Sequence, residues 1–196
     1  MSDDLKFKNP ISCRVSAHSG SRKTSFCIRL LQNLDALRTE REFGGCIILC
    51  YFEKTAVLSC QKLPSKTTYH EGVPDKFGEE GCKSCLVILD NLLNDAYSKQ
   101  VCNVFTRGSH HRNNGVILIT QNLFHRGRFC KDISLNAHYL VALKNVRDNK
   151  HFMYLAEQIY PEDSMDAKQK PHGYHILNLT QDRDDGLRSR INKFPK

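Results

Sequence analysis

Three short polar segments, each at the end of an apolar run, carry residue types suited to phosphate chemistry. The first is Ala17–Thr24 (AHSGSRKT), a small-residue turn before an amphipathic stretch. A loop that holds phosphate needs small residues, so that backbone N–H groups can wrap the anion at the N-terminus of a helix. Gly20 and Ser21 supply part of such a turn. Lys23 supplies charge for the β- and γ-phosphates, and Thr24 supplies a hydroxyl for Mg²⁺.

The same turn departs from the phosphate-loop pattern GxxxxGK[ST] at both glycine positions. Ala17 stands at the first and Arg22 at the second. Arg22 adds a Cβ and a long side chain where the backbone must approach phosphate closely. The turn by itself therefore also fits an ordinary basic loop before a helix.

The second segment, Leu86–Asn91 (LVILDN), ends an apolar run with an acid. At the carboxyl edge of a parallel sheet, Asp90 would lie beside the phosphate loop and hold Mg²⁺ through water. Asn91 occupies the position at which enzymes that hydrolyse nucleoside triphosphates with such a loop and strand-end acid usually carry a second acid. An amide can orient a water molecule but cannot accept its proton. The alternative role for Asp90 is to cap a helix that begins at Leu92.

The third segment, Ile119–Asn122 (ITQN), ends the next apolar run. The amide of Gln121 can sense a γ-phosphate bound at a neighbouring strand end, although a Gln–Asn pair there also suits the start of a loop. Each of the three signals is weak alone. Their order at three successive strand ends makes the combination more specific.

Apolar runs alternate with amphipathic stretches along the chain, which is the pattern of βαβ units. The sequence therefore predicts one α/β domain over residues 1–196, with a mostly parallel sheet and helices on both faces. Glu53–Gly81 is the least regular part. The predicted strands are Ile11–Ala17, Cys46–Phe52, Cys85–Leu89, Gly115–Thr120, Tyr139–Leu143 and Tyr174–Leu179. The predicted helices are Thr24 to about Glu40, Leu92–Phe105 and Lys150–Tyr160.

The composition fits an intracellular chain. No apolar run is long enough to span a bilayer, and the acidic start Met1–Leu5 lacks a secretory signal. We therefore expect a cytoplasmic or nuclear protein, not secreted and without a membrane partner. The nine cysteines are an odd number and several lie in apolar runs, which favours reduced structural thiols. Neither the single CxxC (Cys82–Cys85) nor the pair His110–His111 has further ligands at zinc spacing.

The net charge of +8 is concentrated in one segment. Between Arg107 and His151, eight Lys or Arg stand against two acids, so this segment supplies most of the positive charge. A solvated surface accounts for such an excess, and binding of nucleic acid is the second interpretation.

Further segments carry a resemblance that extends over nearly the whole chain. They are Phe26–Leu34, Tyr69–Pro74 (YHEGVP), Leu86–Leu93, Gly108–Arg112 (GSHHR), Val116–Phe124 (VILITQNLF), Asp132–Ala137 (DISLNA), Tyr139–Asp148 (YLVALKNVRD), Tyr160–Asp163 (YPED) and Gln169–Tyr174 (QKPHGY). In combination they resemble the DNA-packaging ATPases of the FtsK–HerA superfamily, in the branch shared by large eukaryotic DNA viruses and Polinton/Maverick or adintovirus-like elements.

The resemblance implies a RecA-like (ASCE) P-loop core and a homo-oligomeric ring that threads double-stranded DNA, using ATP and Mg²⁺. It implies that the Walker A segment Gly20–Thr24 binds nucleotide, with Lys23 on phosphate and Thr24 on Mg²⁺. Asp90, in the Walker B position, would hold Mg²⁺, and Gln121 would sense the γ-phosphate.

The resemblance also implies that a neighbouring subunit supplies an arginine to the transition state. Arg107 and Arg112 are the candidates. Each of them, taken alone, also suits a surface salt bridge or a contact with DNA phosphate.

Departures from the family pattern bear on catalysis. Ala17 and Arg22 stand where the family pattern has Gly, and Asn91 stands where it has a second Asp, which implies impaired ATP hydrolysis. By the same resemblance, Pro161–Pro171 looks shorter than in relatives. One competing hypothesis is a working motor that tolerates Arg22 and uses Asp95 as its base. Another is a non-catalytic nucleic-acid-binding or assembly protein that retains the fold, and a third is a decayed gene product.

Overall fold

The computed structural model describes residues 7–16, 23–34, 46–51, 67–74, 77, 84–90, 92, 97–108, 114–122, 127–143, 174–181 and 189–191. The predicted helix Lys150–Tyr160 and the short segment Pro161–Pro171 lie outside these ranges.

A single eight-stranded sheet organises the described residues. Its order is β3-β2-β4-β5-β1-β6-β7-β8. The first six strands in the chain run parallel, and the last two are antiparallel to their neighbours. The strands are β1 (Ser12–Ser16), β2 (Cys46–Tyr51), β3 (Thr67–Glu71), β4 (Cys85–Asp90), β5 (Gly115–Thr120), β6 (Tyr139–Leu143), β7 (Tyr174–Asn178) and β8 (Ser189–Ile191).

All six predicted strands are present, and β5 and β6 have the predicted bounds. The interpretation of Glu53–Gly81 as irregular is wrong in part, because β3 lies inside it. Four of the five β3 residues are exposed, as befits an edge strand, so the segment lacks the apolar run that marks the buried strands. β8 was also not predicted, because its three residues, SRI, contain no apolar run.

Helices cover both faces of the sheet, as predicted. Helix α1 (Lys23–Gln32) packs with one set of alternate strand residues, including Val15, Ile88 and Ile119. Helix α2 (Lys99–Asn103), a π-helical turn (Val104–Gly108) and helix α3 (Cys130–Leu135) pack with the other set, including Leu89 and Leu118. The period-2 alternation of a strand places these two sets on opposite faces.

Two predicted helix bounds are wrong. Helix α1 ends at Gln32 rather than near Glu40, in a tightened turn where the Leu34 N–H donates to the Leu31 carbonyl at 3.3 Å. Helix α2 begins at Lys99 rather than Leu92, because the Ser98 side chain accepts the Val101 N–H and caps it. Ser98, not Asp90, is therefore the cap of this helix.

Leu92 is nevertheless buried in the core under α2. The apolar pattern of this segment therefore predicted the burial of Leu92 correctly but its helical structure wrongly. Helix α3 was not predicted from the sequence. Within the described ranges, no helix is long and apolar enough to cross a membrane.

Candidate functional site

The carboxyl ends of three parallel strands meet at one edge of the sheet. Strand β5 lies between β1 and β4, with Ser16 beside Thr120 and Asp90 beside Ile119. Lys23 at the start of α1, Asp90 at the end of β4 and Gln121 just after β5 therefore belong to the same edge. This is the edge at which ligands bind in open α/β sheets.

Lys23 and Asp90 form the charged centre of this edge. Asp90 is only 8% exposed and continues the alternation of Leu86 and Ile88, which pack on the α1 face. Lys23 is half-buried. Burial lowers the pKa of the Lys23 ammonium, and the Asp90 carboxylate partly offsets that effect. The structure thus brings together two of the predicted site residues that lie far apart in the chain.

Buried thiols pack between this end of α1 and the sheet. Cys27, one helical turn after Lys23, is buried against the sheet near Cys13. Burial raises the pKa of the Cys27 thiol well above its ordinary value, and the nearby Cys13 and Asp90 raise it further. A protonated thiol is a weak nucleophile, so the site offers charge and hydrogen bonds rather than covalent chemistry at this cysteine.

Gln121 is exposed at the tip that follows β5. The backbone on both sides of it is fixed by a network of hydrogen bonds. The Tyr97 hydroxyl lies 3.1 Å from Thr120 Oγ1 and donates to the Asn122 carbonyl at 3.1 Å. The Asn122 N–H in turn donates to Thr120 Oγ1 at 3.2 Å. Tyr97 was not among the predicted site residues.

Other predicted site residues are placed less closely or lie outside the described ranges. Thr24 is the second residue of α1, directly after Lys23. Arg107 is exposed in the π-helical turn, on the face opposite α1, so the structure does not bring it together with Lys23 and Asp90. The residues outside the described ranges are Gly20, Ser21, Arg22, Asn91 and Arg112.

Three solved structures are similar to the chain over nearly its full length. The genome packaging NTPase B204 from Sulfolobus turreted icosahedral virus 2, in complex with sulfate, is 13% identical, with 94% of this chain and 97% of that chain covered and a TM-score of 0.57. Its complex with ATPγS gives 14% identity, 94% and 98% coverage and a TM-score of 0.58. B204, the DNA-packaging ATPase from Sulfolobus turreted icosahedral virus, is 10% identical, with 92% of this chain and 96% of that chain covered and a TM-score of 0.58.

The chain has an α/β fold with a RecA-like core. The predicted α/β fold class is thereby confirmed. At 10–14% identity the likeness concerns the fold alone. No protein-family model and no curated protein sequence matches the chain. In this fold, the Lys23–Asp90 pair lies at the carboxyl edge of the RecA-like core.

Proposed function

We propose that this chain is a nucleotide-binding homologue of the DNA-packaging ATPases of the FtsK–HerA superfamily, in the branch that includes Polinton-like elements, with impaired ATP hydrolysis. The observation that carries the proposal is the approach of Lys23 to the buried Asp90 at the carboxyl edge of a RecA-like sheet. A cation at the start of a ten-residue helix beside a buried carboxylate is the combination that a metal-bound triphosphate requires.

The residues at this edge fit ATP and Mg²⁺. Lys23 would bind phosphate oxygens, whose negative charge offsets the burial that lowers its pKa. Asp90 would hold Mg²⁺ through water, with Thr24 as a further ligand. Bound Mg²⁺ would neutralise charge on the β- and γ-phosphates. Gln121, exposed at the tip of the neighbouring strand, would contact the γ-phosphate and orient water.

Impaired hydrolysis follows from two residue types. Asn91, directly after Asp90, cannot accept the proton of an attacking water molecule. Arg22, directly before Lys23, replaces the glycine that lets backbone N–H groups approach phosphate. Binding of ATP would therefore be retained more fully than its turnover.

The proposed macromolecular partner is double-stranded DNA, bound by a homo-oligomeric ring. Three exposed cations support this proposal: Arg107 in the π-helical turn, Lys131 in α3 and Arg128 in the turn just before α3. Cations on one face are typical of contacts with phosphate backbones. Because Arg107 is on the face opposite Lys23, a role as the transition-state arginine would require the site of a neighbouring subunit.

Nucleotide affinity and turnover of five purified chains test the proposal: the unaltered chain, Lys23→Ala, Lys131→Ala, Asn91→Asp and the double variant Arg22→Gly/Asn91→Asp. We expect the unaltered chain to bind Mg·ATP and to turn it over slowly. Lys23→Ala should weaken binding at least about tenfold, since a charge-assisted contact is lost. Lys131→Ala, which removes an exposed lysine on the other face, is the matched control and should bind normally.

The double variant should hydrolyse ATP at least about tenfold faster than the unaltered chain, because it regains a general base. Double-stranded DNA should stimulate that turnover. Rapid hydrolysis by the unaltered chain, abolished in Lys23→Ala, would contradict impaired catalysis. If neither the unaltered chain nor the double variant binds nucleotide, the non-catalytic binding or assembly protein is the better description.

A further inference from the structure

A buried tyrosine is hydrogen-bonded to the strand end that carries Gln121. Tyr97 is 8% exposed and lies between β4 and α2, on the chain segment that leaves Asp90. Its hydrogen-bond partners Thr120 and Asn122 flank Gln121 on either side.

The hydroxyl groups in this network satisfy one another. The Tyr97 and Thr120 hydroxyls lie 3.1 Å apart, and each is also 3.1 Å from the Asn122 carbonyl oxygen, to which either can donate. The Asn122 N–H donates back to Thr120 Oγ1 at 3.2 Å. Thr120 is itself only 8% exposed. Hydrogen bonds that share their partners in this way hold one backbone geometry more firmly than separate bonds do.

The backbone of Gln121 is thus fixed from the side of the sheet opposite to Lys23. Thr120 continues the alternation of Val116 and Leu118, which pack with Tyr97 under α2. Gln121, the next residue, lies just beyond the end of β5, in an exposed bend. Tyr97 thereby holds the residue that precedes Gln121 without occupying the nucleotide side of the sheet.

We propose that Tyr97 is a positioning residue, which sets the place of Gln121 at the end of β5 and so gives the site its preference for a triphosphate over a diphosphate. This inference rests on the proposed function. Tyr97 acts through Gln121 and contacts no nucleotide. A small displacement of a positioned group is enough to weaken its contact strongly.

The test compares Tyr97→Phe with Tyr139→Phe. Tyr139 is also buried, at 3% exposed, and its hydroxyl accepts the Lys8 N–H at 2.8 Å, away from the nucleotide edge. Each variant loses the hydrogen bonds of one buried phenol, so the two should lose similar thermal stability. Only Tyr97→Phe should lower the ratio of affinities for a non-hydrolysable Mg·ATP analogue and Mg·ADP, by about tenfold, with ADP affinity nearly unchanged.

Combination with Gln121→Ala tests whether Tyr97 acts through Gln121. The double variant Tyr97→Phe/Gln121→Ala should have the same affinity ratio as Gln121→Ala alone, since the group that Tyr97 positions is gone. If the decreases in the affinity ratio caused by the two single substitutions instead multiply in the double variant, the inference is overturned. An unchanged ratio in Tyr97→Phe, or equal losses in both tyrosine variants, would also overturn it.

Amide hydrogen exchange tests the anchoring without nucleotide. Tyr97→Phe should speed exchange at Asn122 at least about tenfold, and Tyr139→Phe should leave it unchanged. Unchanged protection in Tyr97→Phe overturns the inference even if nucleotide binds. Absence of nucleotide binding in every chain overturns the proposed function and the assigned preference together, while the exchange result still decides whether Tyr97 anchors this tip.

Discussion

At the scale of single residues, the site combines the half-buried ammonium of Lys23 with the buried carboxylate of Asp90 and the exposed amide of Gln121. Asp90 and Gln121 were identifiable because polar residues that end apolar runs lie at a strand edge. Tyr97 was not, because its partners are 23 and 25 residues away on another strand. Hydrophobic patterning reports that a tyrosine is buried but not where its hydroxyl points.

A double-mutant cycle measures the coupling of Lys23 and Asp90. With Lys23→Met, Asp90→Asn and the double variant, we expect a coupling free energy of about 0.5–1 kcal/mol without nucleotide, since solvent screens the half-exposed ammonium. Free energies of unfolding in urea supply the four values. Additive effects of the two single substitutions would show that the charges do not interact in solution.

At the scale of elements, the strands inside the sheet were predictable and the two edge strands, β3 and β8, were not. β4 and β5 are buried along their whole length, and their sequences are continuous apolar runs. β3 and β8 are held by pairing with a neighbouring strand, a long-range contact that short-range patterning does not register. Likewise, α2 begins where Ser98 caps it, seven residues after the apolar stretch begins at Leu92.

Two glycines should resist substitution for different reasons. A Cβ at Gly115, the first residue of β5, would lie 2.8 Å from Leu86 Cδ1 and 3.2 Å from the Ile11 carbonyl oxygen. We expect Gly115→Ala to cost about 1–3 kcal/mol of unfolding free energy through overpacking. Gly72 has open space but a φ of 74°, so Gly72→Ala should cost about 1–2 kcal/mol through backbone strain.

A second substitution separates the two causes. In a Leu86→Val background, which removes the clashing Cδ1 atom, Gly115→Ala should cost less than in the unaltered chain. The cost of Gly72→Ala should not change there. Equal costs of Gly115→Ala in both backgrounds, measured by denaturant unfolding, would contradict the steric account.

At the scale of the whole molecule, the cysteines make up a notable part of the core. Six of the seven cysteines in the described ranges are buried, and all seven are free thiols. Burial raises the pKa of Cys13 and of Cys50 to about 12, and both are fully buried. In the unfolded chain a thiol ionises near its ordinary value of 9.0.

Stability should therefore fall on the alkaline side. Between about pH 9 and 12 the unfolded chain loses protons that the folded protein retains, so the free energy of unfolding decreases with pH. The slope should reach about 1.4 kcal/mol per pH unit for each thiol. Urea unfolding from pH 8 to 10.5 measures it, and Cys13→Ala or Cys50→Ala should each flatten the slope. An unaltered slope in both variants would contradict this origin.

The position of β5 also sets a distance. Because β5 is hydrogen-bonded to β1 on one side and to β4 on the other, two strand spacings separate the strand that leads to Lys23 from the strand that ends in Asp90. That interval is roughly 9.5 Å, and backbone hydrogen bonds along both seams hold it constant. The sheet therefore fixes the separation between the end of β1 and the end of β4. These two strand ends cannot move apart at this edge unless the backbone hydrogen bonds of β5 break.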